Sequence, residues 1–142
     1  LRFDYSAIGD EVNVASRLEG LCKLYGVPIV IHEATMKRVP GRVALEMDVV
    51  RVKGRGQAAR IFTLLDALEI EGSRERLLVE HAGFWAAYRA RDWDGAAAAL
   101  DACHQVCAGL GEFRSLFRER IEAWRLAPPP ADWDGSHTAT SK

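Results

Sequence analysis

The stretch DYSAIGDEVNVASRLEG, residues 4–20, changes its period in the middle. Residues 2–8 (RFDYSAI) carry aromatic and aliphatic side chains and stop at Gly9, as a strand does. From Asp10 the spacing becomes helical, with Val14, Leu18, Leu21, Cys22 and Tyr25 on one side. Asp10 is a good N-cap residue, and Gly26 with Pro28 behind it supplies a C-terminal stop. A strand that turns into a helix across two residues predicts an α/β unit.

Asn13 and Arg17 lie one turn apart on that helix, away from the face of Val14, Leu18 and Leu21. The first turn of a helix presents unpaired N–H groups and a partial positive charge, which attract phosphate oxygens. Arginine adds a rigid fork of donors suited to phosphate, and asparagine both donates to and accepts from a ribose. On spacing alone the simpler reading is a solvated arginine beside an asparagine of the capping region.

Working outward, PIVIH (28–32) reads as a short buried strand and EATMKRV (33–39) as a brief helix before the PGR turn. VALEMDVVRVK (43–53) and RIFTLL (60–65) are β-rich, and the glycines of GRGQAA between them suit a hairpin loop. An antiparallel pair therefore closes a first domain, placed at 1–66. Beyond residue 70 alanine, arginine and tryptophan dominate, and helices fit at 73–91, 94–109 and 113–126. HAGFWAAYRARDWDGAAAALDAC (81–103) resembles one tetratricopeptide hairpin, a single copy where a solenoid needs about three. Residues 67–127 are read as a helical extension that packs on the first domain or on a partner. APPPADWDGSHTATSK (127–142) is polar and proline-stiffened, and residues 128–142 are read as a flexible tail. The fold class expected is α+β.

Composition narrows the function. Lys and Arg number 19 against 20 Asp and Glu, a formal net charge of -1 in 142 residues, which gives no bulk attraction to nucleic acid or an anionic membrane. No apolar run reaches the roughly 20 residues of a spanning helix. Three cysteines, Cys22, Cys103 and Cys107, do not make a secreted disulfide framework. The expectation is a cytoplasmic segment without nucleic-acid partners or direct membrane insertion, compatible with the cytoplasmic part of a membrane-anchored protein. The chain opens on Leu1 and is strand-like by its third residue, so it is read as the C-terminal piece of a longer protein.

The longer string YSAIGDEVNVASRLE (5–19) resembles the G-D-x-V-N-x-A-x-R-x-E segment of class III nucleotide cyclases, the adenylate and guanylate cyclases with a ferredoxin-like catalytic domain. RVKGRGQAARIFTLL (51–65) resembles the V-K-G-x-x-x-x-x-x-x-F hairpin of that family, in the right order. The resemblance covers about residues 1–66, the C-terminal half of such a domain. The remainder looks like the helical extension behind this domain in some bacterial adenylate cyclases with membrane-anchored sensor regions.

What the resemblance implies is specific to residues. Arg17 matches the arginine that stabilises the pentavalent α-phosphate, and Asn13 matches the asparagine that positions the ribose; both are catalytic candidates. Lys53 matches the lysine that contacts the terminal phosphates. Ser6 stands where the family reads the purine, and its hydroxyl resembles the threonine of adenylate cyclases more than the cysteine of guanylate cyclases. ATP is therefore the expected substrate, giving 3',5'-cyclic AMP and pyrophosphate. The family's two-metal site, taking Mg or Mn, is held by aspartates expected upstream; Asp4, Asp10, Asp48 and Asp66 do not match them, and Asp10 is only a cap. The expected partner is a second cyclase domain, most simply in a homodimer, with this fragment alone inactive. Guanylate cyclase, or an inactive cyclase-like regulatory module, are the alternatives.

The other chemistry-bearing residues read as structural. Cys103, His104 and Cys107 lack the further ligands that a metal site needs. His32 falls at a strand-to-helix junction. Trp85, Tyr88, Trp93 and Trp124 are spaced as packing anchors. Arg114, Arg118, Arg120 and Arg125 alternate with Glu112, Glu119 and Glu122, the pattern of a solvated, ion-paired helix face.

Overall fold

The computed structural model describes residues 20–38, 40–52 and 58–139. The chain is α+β. Helical residues 20–25 (α1) lead to β1 (Ile31–His32), α2 (Glu33–Met36), β2 (Ala44–Val52) and β3 (Ala58–Leu64). Three longer helices follow, α3 (Arg74–Arg89), α4 (Trp93–Val106) and α5 (Gly111–Leu126), before β4 (His137–Ala139). The sheet order is β1-β3-β2-β4. Its first three strands are antiparallel, and β4 joins β2 in parallel.

Local chemistry accounts for most boundaries. Gly26 ends α1 at φ +69°, and the Val27 N–H reaches back to the Cys22 carbonyl at 3.1 Å, the six-to-one bond of a Schellman cap. His32 caps α2, its Nδ1 accepting from the Ala34 N–H at 3.0 Å, which fits the junction role expected of it. Ser73 caps α3 and Asp92 caps α4, each side-chain oxygen accepting from the N–H three residues on. The three helices expected at 73–91, 94–109 and 113–126 thus form within a few residues of those limits. The hairpin expected from 43–53 and 60–65 is β2–β3, with Leu45 opposite Thr63 and Arg51 opposite Ala58.

A bulge divides β2. Glu46 faces Phe62 and Asp48 faces Ile61, so Met47 is an extra residue on the β2 side. In a regular strand residues 46 and 48 would share a face. With one residue inserted, Glu46 shares its face with Phe62 and Arg60, and Asp48 with Leu45 and Thr63. One strand thereby sends two carboxylates to opposite sides of the sheet, and all of Leu45–Val49 is buried.

The helices bury a common core with the sheet. Cys22, Tyr25, Val27 and Val30 are continuous with Leu45, Met47 and Ile61, and these with Leu77, Phe84, Leu100, Phe113 and Phe117. Phe84 anchors an aromatic group, with centroid separations of 5.0 Å to Trp85, 5.2 Å to Phe117 and 5.8 Å to Phe113. Such offset and edge-on pairs add to the area they bury. Trp85, Tyr88, Trp93 and Trp124 all take part in this packing. Cys103 and Cys107 are buried packing residues too, and burial pushes the Cys103 thiol up to about 12.

Residues 128–139, read from composition as a flexible tail, run back across the helices and add β4. Arg91, the one described non-glycine residue at positive φ, donates from its guanidinium to the Pro129 and Pro130 carbonyls. Trp133 lies 5.3 Å from the rings of both Tyr88 and Trp124. Asp134 then pairs with Arg51 of β2 at 2.7 Å, which sets His137 opposite Val50. The proline composition was visible in sequence; the packing of Trp133 beside Tyr88 and Trp124 was not.

Candidate functional site

Ser6, Asn13, Arg17 and Lys53 all lie outside the described residues. The described residues that adjoin them in sequence are residues 20–25 of α1, after Arg17, and the ends of β2 and β3 at Val52 and Ala58, on either side of 53–57. What can be built from geometry is the surroundings of these two elements, and both converge on β2.

On one face, Asp48 is fully buried and receives three contacts. The Tyr25 hydroxyl of α1 donates to Oδ2 at 2.5 Å, and the Val49 N–H donates to Oδ1 at 2.8 Å. Arg120 of α5, itself only 9% exposed, brings Nη1 to 2.8 Å from Oδ2. Neither Nη1 nor Nε of Arg120 has a well-directed hydrogen bond, so the guanidinium acts chiefly as a buried charge, lying over the Phe117 ring at 4.7 Å. Burial pushes the Asp48 carboxyl up, and Arg120 and then the Tyr25 hydroxyl oppose it. Burial, then the Asp48 charge, pushes the Tyr25 phenol up, so it stays a donor.

Arg120 therefore departs from the solvated, ion-paired face expected of it. Arg114 and Arg118 are ion-paired, with Asp101 of α4, and Arg125 with Asp94 of α4 and with Glu122 of its own helix. Arg120 instead follows Phe113 and Phe117 and precedes Ile121 and Trp124 at helical spacing, on the face turned to the core. That spacing was the signal available in sequence, masked by the alternation of charges around it.

On the opposite face, Glu46 is held by Arg89 of α3 at 2.6 Å and Arg60 of β3 at 3.0 Å. Its backbone carbonyl accepts from the Trp85 indole N–H at 2.9 Å and stands 2.8 Å from His81 Nε2. Burial holds the His81 imidazole near a pKa of about 4, hence neutral. A groove of about 430 Å³ opens here between the sheet and α3, lined by Glu46, Arg60, Phe62, His81, Trp85 and Arg89. Its charged groups already satisfy one another, and no nucleophile with a partnered base lines it.

Among the described residues, no group of three or more His, Cys, Asp or Glu could hold a metal ion. No helix among them is long and apolar enough to cross a membrane.

No family model matches the chain, and no solved structure matches it. Three curated proteins resemble it over part of its length. An adenylate cyclase of Anabaena cylindrica is 43% identical over 65 residues, 43% of this chain and 13% of that protein. The terminal-differentiation specific adenylate cyclase of Dictyostelium discoideum is 39% identical over 69 residues, 46% of this chain and 3% of that protein. Adenylate cyclase 1 of Rhizobium meliloti (strain 1021) is 33% identical over 75 residues, 52% of this chain and 11% of that protein. The chain thus corresponds to a small fraction of each relative. These similarities to three proteins named adenylate cyclase are consistent with a partial class III cyclase region.

Proposed function

We propose that this chain is part of an adenylate cyclase that converts ATP to 3',5'-cyclic AMP and pyrophosphate. The observation that carries the reading is its sequence relationship to three proteins each named adenylate cyclase. In this reading residues 1–66 are the C-terminal half of a ferredoxin-like cyclase domain, and the helices behind it are a TPR-like extension. Arg17 offsets the charge that builds on the α-phosphate, and Asn13 orients the ribose so that its 3'-hydroxyl addresses that phosphorus. Lys53 attracts the terminal phosphates, which leave as pyrophosphate. The Ser6 hydroxyl contacts the purine.

The reaction calls for divalent metal, Mg or Mn, which activates the attacking hydroxyl and neutralises the phosphates. In this reading, as the family resemblance implies, its ligands are supplied upstream or by a partner. A second cyclase domain, most simply a second copy, completes the site.

The test is the full-length protein assayed with ATP and GTP under Mg and under Mn. Cyclic AMP is the expected product, and Arg17→Ala should lower turnover by ~10² or more with a smaller effect on ATP binding, because its contact strengthens in the transition state. Preference for GTP would make the protein a guanylate cyclase. Absence of either cyclic nucleotide would favour a regulatory module that has lost catalysis.

A further inference from the structure

Among the described residues, the two faces of the sheet are covered unequally. Along β3, Ile61 and Thr63 are buried on one face, whereas on the other Arg60 is exposed and Phe62 and Leu64 are half-buried. The groove of about 430 Å³ lies on this second face, and its described lining comes from β2, β3 and α3 alone. We infer that the groove docks an amphipathic helix of a protein partner, whose apolar side lies on Phe62 and Leu78 and whose acidic side chains meet Arg60 and Arg89. This docking surface stands apart from the cyclase reading and from residues 1–19.

The charge of the groove favours an acidic occupant. Two guanidinium groups line it against the single carboxylate of Glu46, and His81 beside them is neutral. Glu46 takes Nε and Nη2 of Arg60 and Nη2 of Arg89, so Nη1 of Arg60 and both Nε and Nη1 of Arg89 are donors it does not engage. Glu33 of α2 faces Arg60 from outside the groove, where its Oε1 accepts from the Arg60 N–H at 2.9 Å. Both guanidinium groups are also stacked, Arg60 at 5.2 Å over Phe62 and Arg89 at 4.8 Å over Trp85. Yet their side chains remain 50% and 40% exposed. Forks held in place before binding lose little freedom when a carboxylate arrives.

The shape of the groove favours a helix. On α3, Arg74, Leu78, Ala82, Ala86 and Arg89 recur at three- and four-residue spacing, one face with a charge at each end and an apolar middle. That face runs about 22 Å at 1.5 Å per residue. Ala82 and Ala86 are small and exposed, so a second helix can approach α3 to the usual interaxial distance of about 8–10 Å. Val43 and Val79, each next in sequence to a lining residue, are 46% and 69% exposed and widen the apolar surface. A small carboxylate is ordinarily held in a pocket that buries most of it. A groove walled on one side by exposed alanines instead suits a helix laid along it.

The experiment titrates the full-length protein into a labelled helical peptide of about 15 residues, the length that matches the α3 face. The peptide carries leucine at one-turn spacing on one side, glutamate along both borders and alanine elsewhere; a second peptide has lysine for every glutamate. Fluorescence anisotropy should give a Kd of about 10–100 μM for the acidic peptide and binding at least about tenfold weaker for the basic one. Ala82→Gln and Ala82→Glu add side chains of like size to an exposed position of α3, so both should keep the thermal midpoint within about 2 °C of wild type. Ala82→Glu should weaken the acidic peptide about tenfold more than Ala82→Gln does, because it sets a like charge in the groove. No saturable binding of the acidic peptide, equal binding of the two peptides, or equal effects of the two Ala82 variants overturns the inference. Decanoate that binds the wild-type protein where the acidic peptide does not also overturns it, and makes the groove a site for a small carboxylate.

Discussion

Replacing Arg120 by methionine tests the buried pair directly. Methionine keeps an unbranched apolar stem and deletes the guanidinium that pairs with Asp48 and lies over the Phe117 ring. Asp48 then remains fully buried without a cation, with the Tyr25 hydroxyl and the Val49 N–H as its donors. Removing one partner of such a pair costs about 3–5 kcal/mol. With a urea m-value of about 2 kcal/mol/M, the midpoint should fall by about 2 M.

The pH dependence follows from Asp48, whose carboxyl burial already holds above its ordinary value. Loss of Arg120 raises it further. A carboxyl that holds its proton more tightly when folded favours the folded state in acid and loses that advantage as pH rises through its folded value. The deficit of Arg120→Met should therefore be largest near pH 8 and shrink as pH falls toward the ordinary carboxylate range. Fluorescence of the four tryptophans during urea unfolding, at pH 8 and pH 5, measures it. A deficit under about 1 kcal/mol at pH 8, typical of an exposed pair, would refute the reasoning. So would a deficit equal at the two pH values. The combination Tyr25→Phe, Asp48→Leu, Arg120→Met should recover most of the loss.

Two other perturbations have expected signs. His81 is buried and neutral with its pKa depressed to about 4, so its contribution is present above about 6.5 and is lost as pH falls from there toward 4, up to about 3 kcal/mol in all. Urea midpoints for His81→Gln should decline less steeply than wild type between pH 7 and pH 4.5, and parallel curves would exclude the role. Gly26→Ala forces a side chain into the left-handed region and against Glu112, which should cost ~2–4 kcal/mol. A thermal midpoint within about 2 °C of wild type would show that α5 yields there.

The elements of this fold were legible where their signals are local. The shift to alanine, arginine and tryptophan beyond residue 70 and the β-rich runs around 54–57 are both properties of short stretches of chain. The bulge at Met47 was not legible, because it arises from pairing with β3 rather than from any turn residue in ALEMDVV. Nor was β4, three residues whose pairing depends on Trp133 docking beside Tyr88 and Trp124. Arg120 stood on the apolar spacing of Phe113 and Phe117, yet the surrounding charges pointed the other way. Ser6, Asn13, Arg17 and Lys53 come from sequence motifs, and the described structure contributes what holds the adjoining elements.

The anchor that α3 uses on β2 is a backbone carbonyl. His81 and Trp85 converge on the oxygen of Glu46, an atom every amino acid supplies at that position. Substitution at 46 can remove the carboxylate and its hold on Arg60 and Arg89 while leaving those two contacts an acceptor. Positions 81 and 85 have no such latitude, since each must bring its own donor across the interface. Mutational tolerance at this junction should accordingly be lopsided: the strand side free to drift in identity, and the helix side confined to the few side chains that end in a well-placed N–H.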